Sequence, residues 1–485
     1  MEHLSWITSA VFVFDFIIRI GLSLRVIMRR RPVGVTLAWL MVILSSPFVG
    51  SVIYLLFGEL RLGNRRAKWA AEIHGPYQEW LDDLSDRSNV DWSEMGPQCR
   101  PLARLSQASV GIPAMPDNDL ELIADTEDVF RSIIADIDAA KKTCHMVFYI
   151  WNVGGTADEV AEALLRAAER GVVCRVLVDA VGSHEFLRSP LAEKIKQGGI
   201  RLHVALPAGF MRALFVRFDL RMHRKIVVID SQVAYTGSLN MVDPRFFKKE
   251  AGVGQWVDAM VRVRGPVVEP LAITFIEDWL LESGVSVEEV RKTTDMPTLE
   301  ACGPSAVQVV PSGPAIHGQA IQRILLMAIY AARRELVLTS PYFVPDEILL
   351  TALISAANRG VDVTLIVPAK VDSTLVRLAS QAHKGELLAA GVKVMLFDGG
   401  LLHTKSITVD DQLSLFGSLN LDPRSLHLNF EITLAVYDKD FTSRLRALQQ
   451  SYLDDAEPMD LSKWESRSSG ARLVENVVRL LSPLL

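Results

Sequence analysis

Two stretches of the sequence carry the same reactive residue types at the same spacing. Residues 223–240 read HRKIVVIDSQVAYTGSLN, and residues 403–420 read HTKSITVDDQLSLFGSLN. Both fit the pattern His-x-Lys-x4-Asp-x6-Gly-Ser-x-Asn, whose six named residues are present in each copy. A single His-x-Lys pair in a strand usually has no catalytic meaning, but two copies that agree this closely indicate an internal duplication with a shared function.

The residue types of the two motifs suit a phosphodiester substrate. Two related halves tend to pack about a twofold axis, so we expect both motifs to meet in one cleft. The ammonium groups and amides can hold the non-bridging oxygens and the charge that grows in the transition state. One imidazole can attack phosphorus to form a phosphohistidine, and the other can protonate the leaving alcohol and then deprotonate the incoming one.

The other motif residues have supporting roles in this scheme. The Asp of each motif could fix the tautomer of an imidazole, although its distance from the His also allows it to hold the turn or the strand. Ser238 and Ser418 can donate hydrogen bonds near the phosphate or to the loops. Neither a Ser-His-Asp order nor a carboxylate cluster accompanies the motifs, so the sequence predicts no metal and no other cofactor.

Alternating strands and helices position the motifs. HMVFYIWN (145–152) is a buried strand, DEVAEALLRAAERG (158–171) has apolar residues at helical spacing, and the same order returns over residues 320–370. The pattern predicts an α/β fold with two tandem domains related by pseudo-twofold symmetry. The predicted segments are an N-terminal hairpin at 1–62, a connecting segment at 63–115, a first domain at 116–290 and a second domain at 300–485.

Two apolar runs precede these domains. The run at 33–58 is long enough to cross a bilayer core of about 30 Å, whereas Asp15 and Arg19 interrupt the run at 4–24. Because these two residues are four apart, they share a helix face and can neutralise each other while facing the second helix. We therefore expect a hairpin of two transmembrane helices. A buried hairpin of a soluble protein is the alternative, and the balanced flanking arginines do not predict the side of the membrane.

Other segments have weaker signals. Residues 209–225 set apolar residues among arginines and could lie at an anionic membrane surface, or form an ordinary packed helix. The C-terminal ARLVENVVRLLSPLL is another apolar-faced helix, for which docking on the core is favoured over membrane contact. Aromatic residues at strand ends could line the site or belong to the core; they are Tyr149, Trp151, Tyr342 and Phe343.

Composition narrows the classes of partner and compartment. The formal net charge of -6 does not suggest a nucleic-acid binder. The four cysteines lie far apart without metal-ligand spacing, so we expect reduced and mostly buried thiols.

The paired motif resembles the phospholipase D superfamily, and further stretches resemble the bacterial cardiolipin synthases within it. These stretches are NMVDPRFF (240–247), GVGQWVD (252–258), SPYFVPD (340–346) and NLDPRSLHLNFE (420–431). The resemblance implies a membrane enzyme with two phospholipase D-like domains that joins two phosphatidylglycerol molecules into cardiolipin and releases glycerol. It also implies metal-independent chemistry and multi-pass residence in the bacterial cytoplasmic (inner) membrane, with anionic membrane lipids as partners and no nucleic acid.

The superfamily's functional residues can be matched one by one. In this superfamily the N-terminal motif histidine is usually the nucleophile, which implies that His223 is the nucleophile and His403 the general acid. The later acidic residue falls on Glu431, but Ala251 occupies that offset in the first half, with Glu250 beside it and Asp258 further on, so one carboxylate partner is open. The resemblance implies catalytic roles for His223, Lys225, Asp230, His403, Lys405 and Asp410, and substrate binding by Asn240, Asn420, Ser238, Ser418 and Glu431.

Three alternative functions share parts of this pattern. The first is another enzyme of the superfamily, such as a hydrolytic phospholipase D, a phosphatidylserine synthase or a synthase that uses phosphatidylethanolamine as donor. The second is a nuclease, which the apolar N-terminus and the negative net charge disfavour. The third is a lipid-binding scaffold without activity, which would not need two paired imidazoles.

Overall fold

A computed structural model describes residues 2–29, 33–59, 64–207, 217, 219–294, 297–314 and 319–479. The chain forms two compact units. The smaller contains Met1–Glu72 and Ala208–Leu220, and the larger contains Ile73–Pro207 and Arg221–Leu485. Both copies of the motif lie in the larger unit.

The helices and strands alternate over most of the larger unit. The helices are α1 Glu2–Met28, α2 Val33–Ser45, α3 Val49–Ile53, α4 Asn64–Arg87, α5 Cys99–Val110, α6 Thr126–Ala139, α7 Thr156–Glu169, α8 His184–Leu187, α9 Pro190–Gln197, α10 Val268–Ser283, α11 Val287–Thr293, α12 Ala320–Ala331, α13 Glu347–Asn358, α14 Thr374–Ala389, α15 Pro423–His427, α16 Lys439–Asp454, α17 Leu461–Glu465 and α18 Ser469–Arg479. The strands are β1 Met115–Ile123, β2 Thr143–Phe148, β3 Val173–Asp179, β4 Arg201–Ala205, β5 Arg221–Met222, β6 Ile226–Ile229, β7 Val233–Gly237, β8 Trp256–Val257, β9 Met260–Arg264, β10 Ser305–Ser312, β11 Glu335–Thr339, β12 Asp362–Pro368, β13 Lys393–Phe397, β14 Leu401–Leu402, β15 Ser406–Val409, β16 Leu413–Gly417, β17 Asn429–Tyr437 and β18 Ala456–Pro458.

The larger unit is built on one 16-stranded mixed sheet. Outward from its centre, the strands of the two halves follow matching orders. From the central antiparallel pair of β10 and β1, the strands run β17, β16, β15, β11, β12, β13 on one side and β9, β7, β6, β2, β3, β4 on the other. The two series match strand for strand, and β18 adds to the edge of the second half. The α/β class predicted from the sequence is confirmed.

Burial on both faces explains why the central strands are continuously apolar. Every residue of β2 is buried. Met146 belongs to the core under α6 and α7, whereas His145 on the opposite face stacks on Phe275 of α10 at a centroid distance of 4.9 Å. In α7 the buried residues include Val160 and Leu164, which recur at helical spacing. Parallel strands covered by helices on both faces are typical of α/β proteins.

The N-terminal hairpin of the smaller unit turns its charges inward. Asp15 pairs with Arg19 and accepts a hydrogen bond from the Phe48 N–H at 2.8 Å. The guanidinium of Arg19 donates to the carbonyl of Leu44 at 2.9 Å. The pair therefore contacts the second apolar run, as predicted, and Asp15 is fully buried.

The second apolar run is not the single helix that was predicted over 33–58. Helix α2 ends at Ser45, because Pro47 lacks an N–H and Phe48 adopts a positive φ of 54°. The chain resumes as α3 and continues as a π-helix over Tyr54–Gly58. Among the described residues, no helix is both long and apolar enough to cross a membrane.

Most of the segment 209–225 lies outside the described residues, so the predicted amphipathic helix is not described over 208–216. Its C-terminal end is not helical, because Arg221–Met222 forms β5 and pairs in parallel with β17. The predicted C-terminal helix is present as α18 up to Arg479 and buries Glu475 and Val478, while residues 480–485 lie outside the described residues.

Candidate active site

Two short strands carry the motif histidines into the region where the halves meet. His223 follows β5, which pairs with β17 of the second half, and its backbone N–H donates to the carbonyl of Phe430 at 2.9 Å. His403 follows β14, which pairs with β8 of the first half, and its N–H donates to the carbonyl of Val257 at 2.8 Å. Each histidine is therefore held by backbone of the opposite half.

Each imidazole is also paired with a carboxylate of the opposite half. Nδ1 of His223 lies 2.8 Å from Oε2 of Glu431, and Nδ1 of His403 lies 2.6 Å from Oδ1 of Asp258. Because an ionised carboxylate only accepts, Nδ1–H is the donor in both pairs, and Nε2 carries the lone pair. This arrangement gives both histidines the tautomer that an attacking or proton-accepting nitrogen needs.

Asp258 fills the role that the sequence left open. It follows Asn240 by eighteen residues, whereas Glu431 follows Asn420 by eleven, so a comparison at equal offset pointed to Ala251 instead. The longer loop of the first half contains the 3-10 turn Lys249–Ala251. The available signal was position relative to the next strand, since Asp258 precedes β9 and Glu431 lies early in the matching β17.

The motif serines support these carboxylates. Ser238 Oγ donates to Asp258 Oδ1 at 2.6 Å, and Ser418 Oγ donates to Glu431 Oε2 at 2.5 Å. The side chain of Glu431 is fully buried, and a buried anion would repel a phosphate. The geometry thus makes Glu431 a partner of His223 and makes both serines partners of the carboxylates, which differs from the predicted contact with substrate.

The motif lysines are buried beside the imidazoles. Lys225 Nζ donates to the carbonyl of His223 at 2.8 Å, and Lys405 Nζ makes the same bond to the carbonyl of His403. Burial lowers the pKa of Lys225 to about 8 and that of Lys405 to about 7, against the opposing effect of nearby carboxylates. An ammonium group has three donors, so two remain for a bound anion.

The motif asparagines have spare hydrogen-bonding capacity. Oδ1 of Asn240 accepts from the Ile150 N–H at 3.2 Å. Its buried Nδ2, and the buried Oδ1 of Asn420, have no hydrogen-bond partner among the described residues. Because buried polar groups are usually satisfied, these amides are good candidates to contact a ligand.

The motif aspartates lie at a different place. Asp230 accepts from the backbone N–H groups of residues 141–143 at 2.7–2.8 Å, and Asp410 from those of residues 333–335 at 2.7–2.9 Å. Both have a φ of 52° in the hairpin turn after β6 or β15. All four carboxylate oxygens are therefore committed to backbone, and the structure does not bring these residues to the imidazoles. The contacts match the alternative in which they hold the turn and the adjacent strand.

Burial dominates the electrostatics of the histidines. It lowers the pKa of His223 and of His403 to about 4, while the carboxylate partner raises the pKa and the neighbouring lysine lowers it. Burial therefore favours the neutral form of both imidazoles. A phosphodiester anion would offset the lysines and favour a proton on one imidazole.

Aromatic rings cover both histidines. Tyr149 contacts His223 with ring centroids 4.9 Å apart, and Trp256 contacts His403 at 4.4 Å. Tyr149 was a candidate from the sequence, but Trp256 was missed because it lies in the long loop of the first half. Of the other candidates, Trp151 and Phe343 are buried in the core, and the Tyr342 hydroxyl donates to Asp372 at 2.7 Å.

Comparison with known proteins agrees with this geometry. The family model described as "Cardiolipin synthase, PLD-like domain" matches residues 133–279 and 325–452, and the model described as "Phospholipase_D-nuclease N-terminal" matches residues 17–59. Cardiolipin synthase A of Klebsiella pneumoniae (strain 342) is 45% identical over 465 residues, which are 96% of each chain. Cardiolipin synthase A of Yersinia pseudotuberculosis serotype O:1b is 44% identical over 482 residues, which are 99% of each chain.

The fold also resembles a solved structure. The phosphatidylserine synthase of Haemophilus influenzae Rd KW20 superposes with a TM-score of 0.60 at 16% identity, over 79% of this chain and all of that one. At this identity the likeness concerns the fold alone. The family match and the near full-length relatives show that the chain belongs to the cardiolipin synthases of the phospholipase D superfamily.

Proposed function

We propose that the protein is a phosphatidyltransferase that joins two phosphatidylglycerol molecules into cardiolipin and releases glycerol. The observation that carries this proposal is the reciprocal pairing of His223 with Glu431 and of His403 with Asp258. Two equivalent imidazoles, each with a free Nε2 and each beside a lysine, provide one nucleophile and one general acid for transfer at phosphorus.

In the first step, Nε2 of His223 attacks the phosphorus of one phosphatidylglycerol. A P–N bond forms, and the bond from phosphorus to the oxygen of the terminal glycerol breaks. Lys225 and Lys405 stabilise the charge on the non-bridging oxygens. His403 gives its Nε2 proton to the leaving oxygen, and free glycerol departs from a phosphatidyl-histidine.

In the second step, His403 acts as the base. Its Nε2 removes the proton from a terminal glycerol hydroxyl of a second phosphatidylglycerol, whose oxygen attacks the phosphatidyl-histidine. The P–N bond breaks, cardiolipin forms, and His223 is restored. His403 is protonated on both nitrogens before it acts as the acid and again after it acts as the base. Glu431 and Asp258 keep accepting from Nδ1–H, so the two rings keep their orientation and need no rotation.

The substrate fits an N-terminal hairpin that is associated with the membrane. Large apolar side chains of the hairpin are exposed, including Phe12 at 63% and Ile17 at 61%, while Asp15 is buried. Apolar groups outside and a charged pair inside are the arrangement expected in lipid. We extend the proposal to multi-pass residence in the bacterial inner membrane, with anionic phospholipids around the hairpin.

Exchange of one alcohol for another has an equilibrium constant near unity, because equivalent bonds are broken and made. Net synthesis therefore depends on the removal of glycerol. Added glycerol is expected to slow the accumulation of cardiolipin from phosphatidylglycerol, measured as the approach to a lower plateau. No effect over a wide range of glycerol concentration would contradict alcohol exchange.

The test uses the purified full chain in detergent micelles with phosphatidylglycerol as the only phospholipid, no nucleotide and a chelator. Products are resolved by mass spectrometry beside His223→Ala and His403→Ala, with His184→Ala at an exposed position as the matched control. Cardiolipin is expected from the parent chain and from His184→Ala but not from the other two variants. Phosphatidic acid in its place would mean that water is the acceptor. Product only after phosphatidylethanolamine is added would identify a different donor.

A further inference from the structure

Exposed apolar side chains of the larger unit are concentrated in segments that follow the parallel strands of each half. Most of the large ones lie in loops and helix starts that follow the carboxyl ends of parallel strands β2, β3, β11 and β12, or in the loop after the first motif. Those five are Val153, Val181, Phe246, Ile348 and Leu375, and we name them the apolar rim.

Contacts connect loops of the apolar rim with the two histidines. The loop after β3 is next to His223, because Asp179 accepts from the Met222 N–H at 2.9 Å. Phe246 packs against Gly154 and Gly155 in the loop after β2. The ring of the next residue, Phe247, contacts the ring of Trp256 at a centroid distance of 5.2 Å, and Trp256 covers His403. Lys248, beside Phe247, pairs with Asp372 in the loop after β12, so loops of both halves meet here.

Exposed basic side chains lie beside the rim, although one of them, Arg245, also pairs with Glu127, whose side chain is 56% exposed. Arg245 pairs with Asp243 and Lys248 pairs with Asp372, each at a short distance. The basic side chains of these pairs are 46% and 47% exposed, whereas their acidic partners are 1% and 6% exposed. Lys370 is also exposed, in the loop after β12. The solvent side of the rim therefore offers apolar and basic groups together, which complement an anionic bilayer surface.

The C-terminal helix α18 packs beside α14, the helix that carries Leu375 of the apolar rim. It exposes Leu473, Val474 and Val477, while Val478 packs with Ala379 of α14 and with Val344 in the loop after β11. The large exposed Tyr330 lies elsewhere, at the end of α12 just before β11 begins, whereas Ile348 follows the carboxyl end of that strand. The guanidinium carbon of Arg359 lies 5.4 Å from the centre of the Tyr330 ring. Tyr330 is therefore a suitable control, because it is an exposed aromatic residue beside a basic one and lies away from the apolar rim.

We infer that the apolar rim inserts into the interface of a bilayer that contains anionic phospholipid, so that the mouth of the active site opens directly onto the lipid. This inference rests on the proposed function. A diacyl substrate whose phosphorus must reach a buried imidazole keeps its acyl chains in the bilayer only if the entrance contacts the bilayer. The rim supplies that contact at the catalytic mouth, independently of the N-terminal hairpin.

The first measurement is the ratio of the rate in phosphatidylglycerol proteoliposomes to the rate on phosphatidylglycerol dispersed in detergent micelles. Phe246→Ser and Leu375→Ser are each expected to lower this ratio about tenfold, because the micelle presents substrate without a flat interface. Tyr330→Ser is expected to leave the ratio within twofold of the parent value. A ratio that is unchanged in Phe246→Ser and Leu375→Ser would overturn the inference, as would an equal fall in Tyr330→Ser. Micelle activity of the parent chain tests the proposed function separately.

A spectroscopic measurement locates the rim even if these variants lower activity for local reasons. Cys302 is the exposed thiol among the four cysteines and is removed as Cys302→Ser. A fluorescent probe is then attached to Phe246→Cys or to Tyr330→Cys, and the full chain is reconstituted in phosphatidylglycerol vesicles that contain a spin-labelled lipid. Quenching at position 246 but not at 330 is expected. Equal quenching at both positions, or none at position 246, would overturn the inference. The apolar rim would then be a surface for another contact, such as one with a protein partner.

Discussion

Replacing the carboxylate partner of each histidine separates the nucleophile from the general acid. Asp258→Asn and Glu431→Gln keep the size of each side chain but put an amide beside Nδ1. In the parent chain the Nδ1–Oδ1 distance at Asp258 is 2.6 Å, and Ser238 donates to the same oxygen. In Asp258→Asn an amide oxygen at the Oδ1 position can accept both hydrogen bonds, but it carries no charge, so a protonated His403 loses its anionic partner.

The size of the effect follows from that hydrogen bond. A hydrogen bond to a charged group contributes about 1.5–3 kcal/mol. If all of it is expressed in the transition state, the rate falls about 10- to 150-fold, because about 1.4 kcal/mol is tenfold. Both pairs are buried and of similar length, so we expect the two variants to lose similar amounts of activity on phosphatidylglycerol.

The leaving group then distinguishes them. Phosphatidyl-p-nitrophenol releases a stable phenolate and needs no general acid, but it still needs the nucleophile. With His223 as nucleophile, Glu431→Gln is expected to slow the p-nitrophenol burst by the full factor, and Asp258→Asn by less than threefold. Asp258→Asn should also accumulate a phosphatidyl adduct on His223, because the second step lacks its base. The assay is stopped-flow release of p-nitrophenol together with peptide mass spectrometry.

Two results would refute parts of this reasoning. The opposite pattern, in which Asp258→Asn abolishes the burst and Glu431→Gln does not, would assign the nucleophile to His403. Equal loss in both variants with both substrates would mean that the carboxylates do not divide the roles of the histidines at all. Thermal unfolding of both variants is the control, since a collapsed site would lower the melting temperature as well as the rate.

Three further predictions test other parts of the structure. Lys405→Met should abolish activity yet raise the melting temperature at pH 7. Burial lowers the pKa of this lysine from 10.5 to about 7, so the unfolded chain binds more protons than the folded chain between these pH values. The parent chain therefore gains stability as the pH rises over this range. The stabilisation by methionine should shrink toward pH 10.5, and a difference in melting temperature that does not change with pH would contradict the prediction. Asp410→Ala removes three hydrogen bonds from backbone N–H groups, so unfolding should become easier by roughly 2–4 kcal/mol in chemical denaturation, while kcat per folded molecule stays within tenfold of the parent; a loss as large as that of His403→Ala would restore a direct catalytic role. Asp15→Leu leaves Arg19 unpaired and should reduce the amount of membrane-bound protein, whereas Asp15→Leu with Arg19→Leu should recover it; equal amounts in both variants would show that the pair is not buried.

Much of this architecture could be predicted from the sequence because it is local or periodic. The duplication is visible as residue identities at a fixed interval, and the alternation of strands and helices follows from apolar spacing. The Asp15–Arg19 pair follows from a spacing of four residues in a helix. The break at Pro47 is also a local signal, but the hydropathy of residues 33–58 favours one continuous helix, which is why the sequence predicts no break there.

The long-range parts of the site could not be predicted in the same way. Asp258 and His403 are 145 residues apart and meet because β8 pairs with β14, a contact that depends on how the halves dock. The roles of Asp230 and Asp410 needed the positions of backbone N–H groups on neighbouring strands. Trp256 could not be selected by the motif, since its contact with His403 depends on the length of the loop after Asn240.

The exchange of carboxylates makes the two halves inseparable in function. Strand β17 pairs with β10 and β16 in the sheet of the second half, and it also delivers Glu431 to the histidine of the first half. A half alone would leave its buried imidazole without a carboxylate and its buried carboxylate without a donor, which is costly in a low-dielectric interior.

The surroundings of the two pairs nevertheless differ. Beside His223, Arg224 donates to the Glu431 carbonyl at 3.1 Å and pairs with Asp278 at 2.6 Å, whereas the matching Thr404 bonds to the Val257 carbonyl at 3.2 Å. The symmetry therefore provides two equivalent reactive nitrogens. The buried cation beside one of them provides a physical reason for the two histidines to carry out different steps.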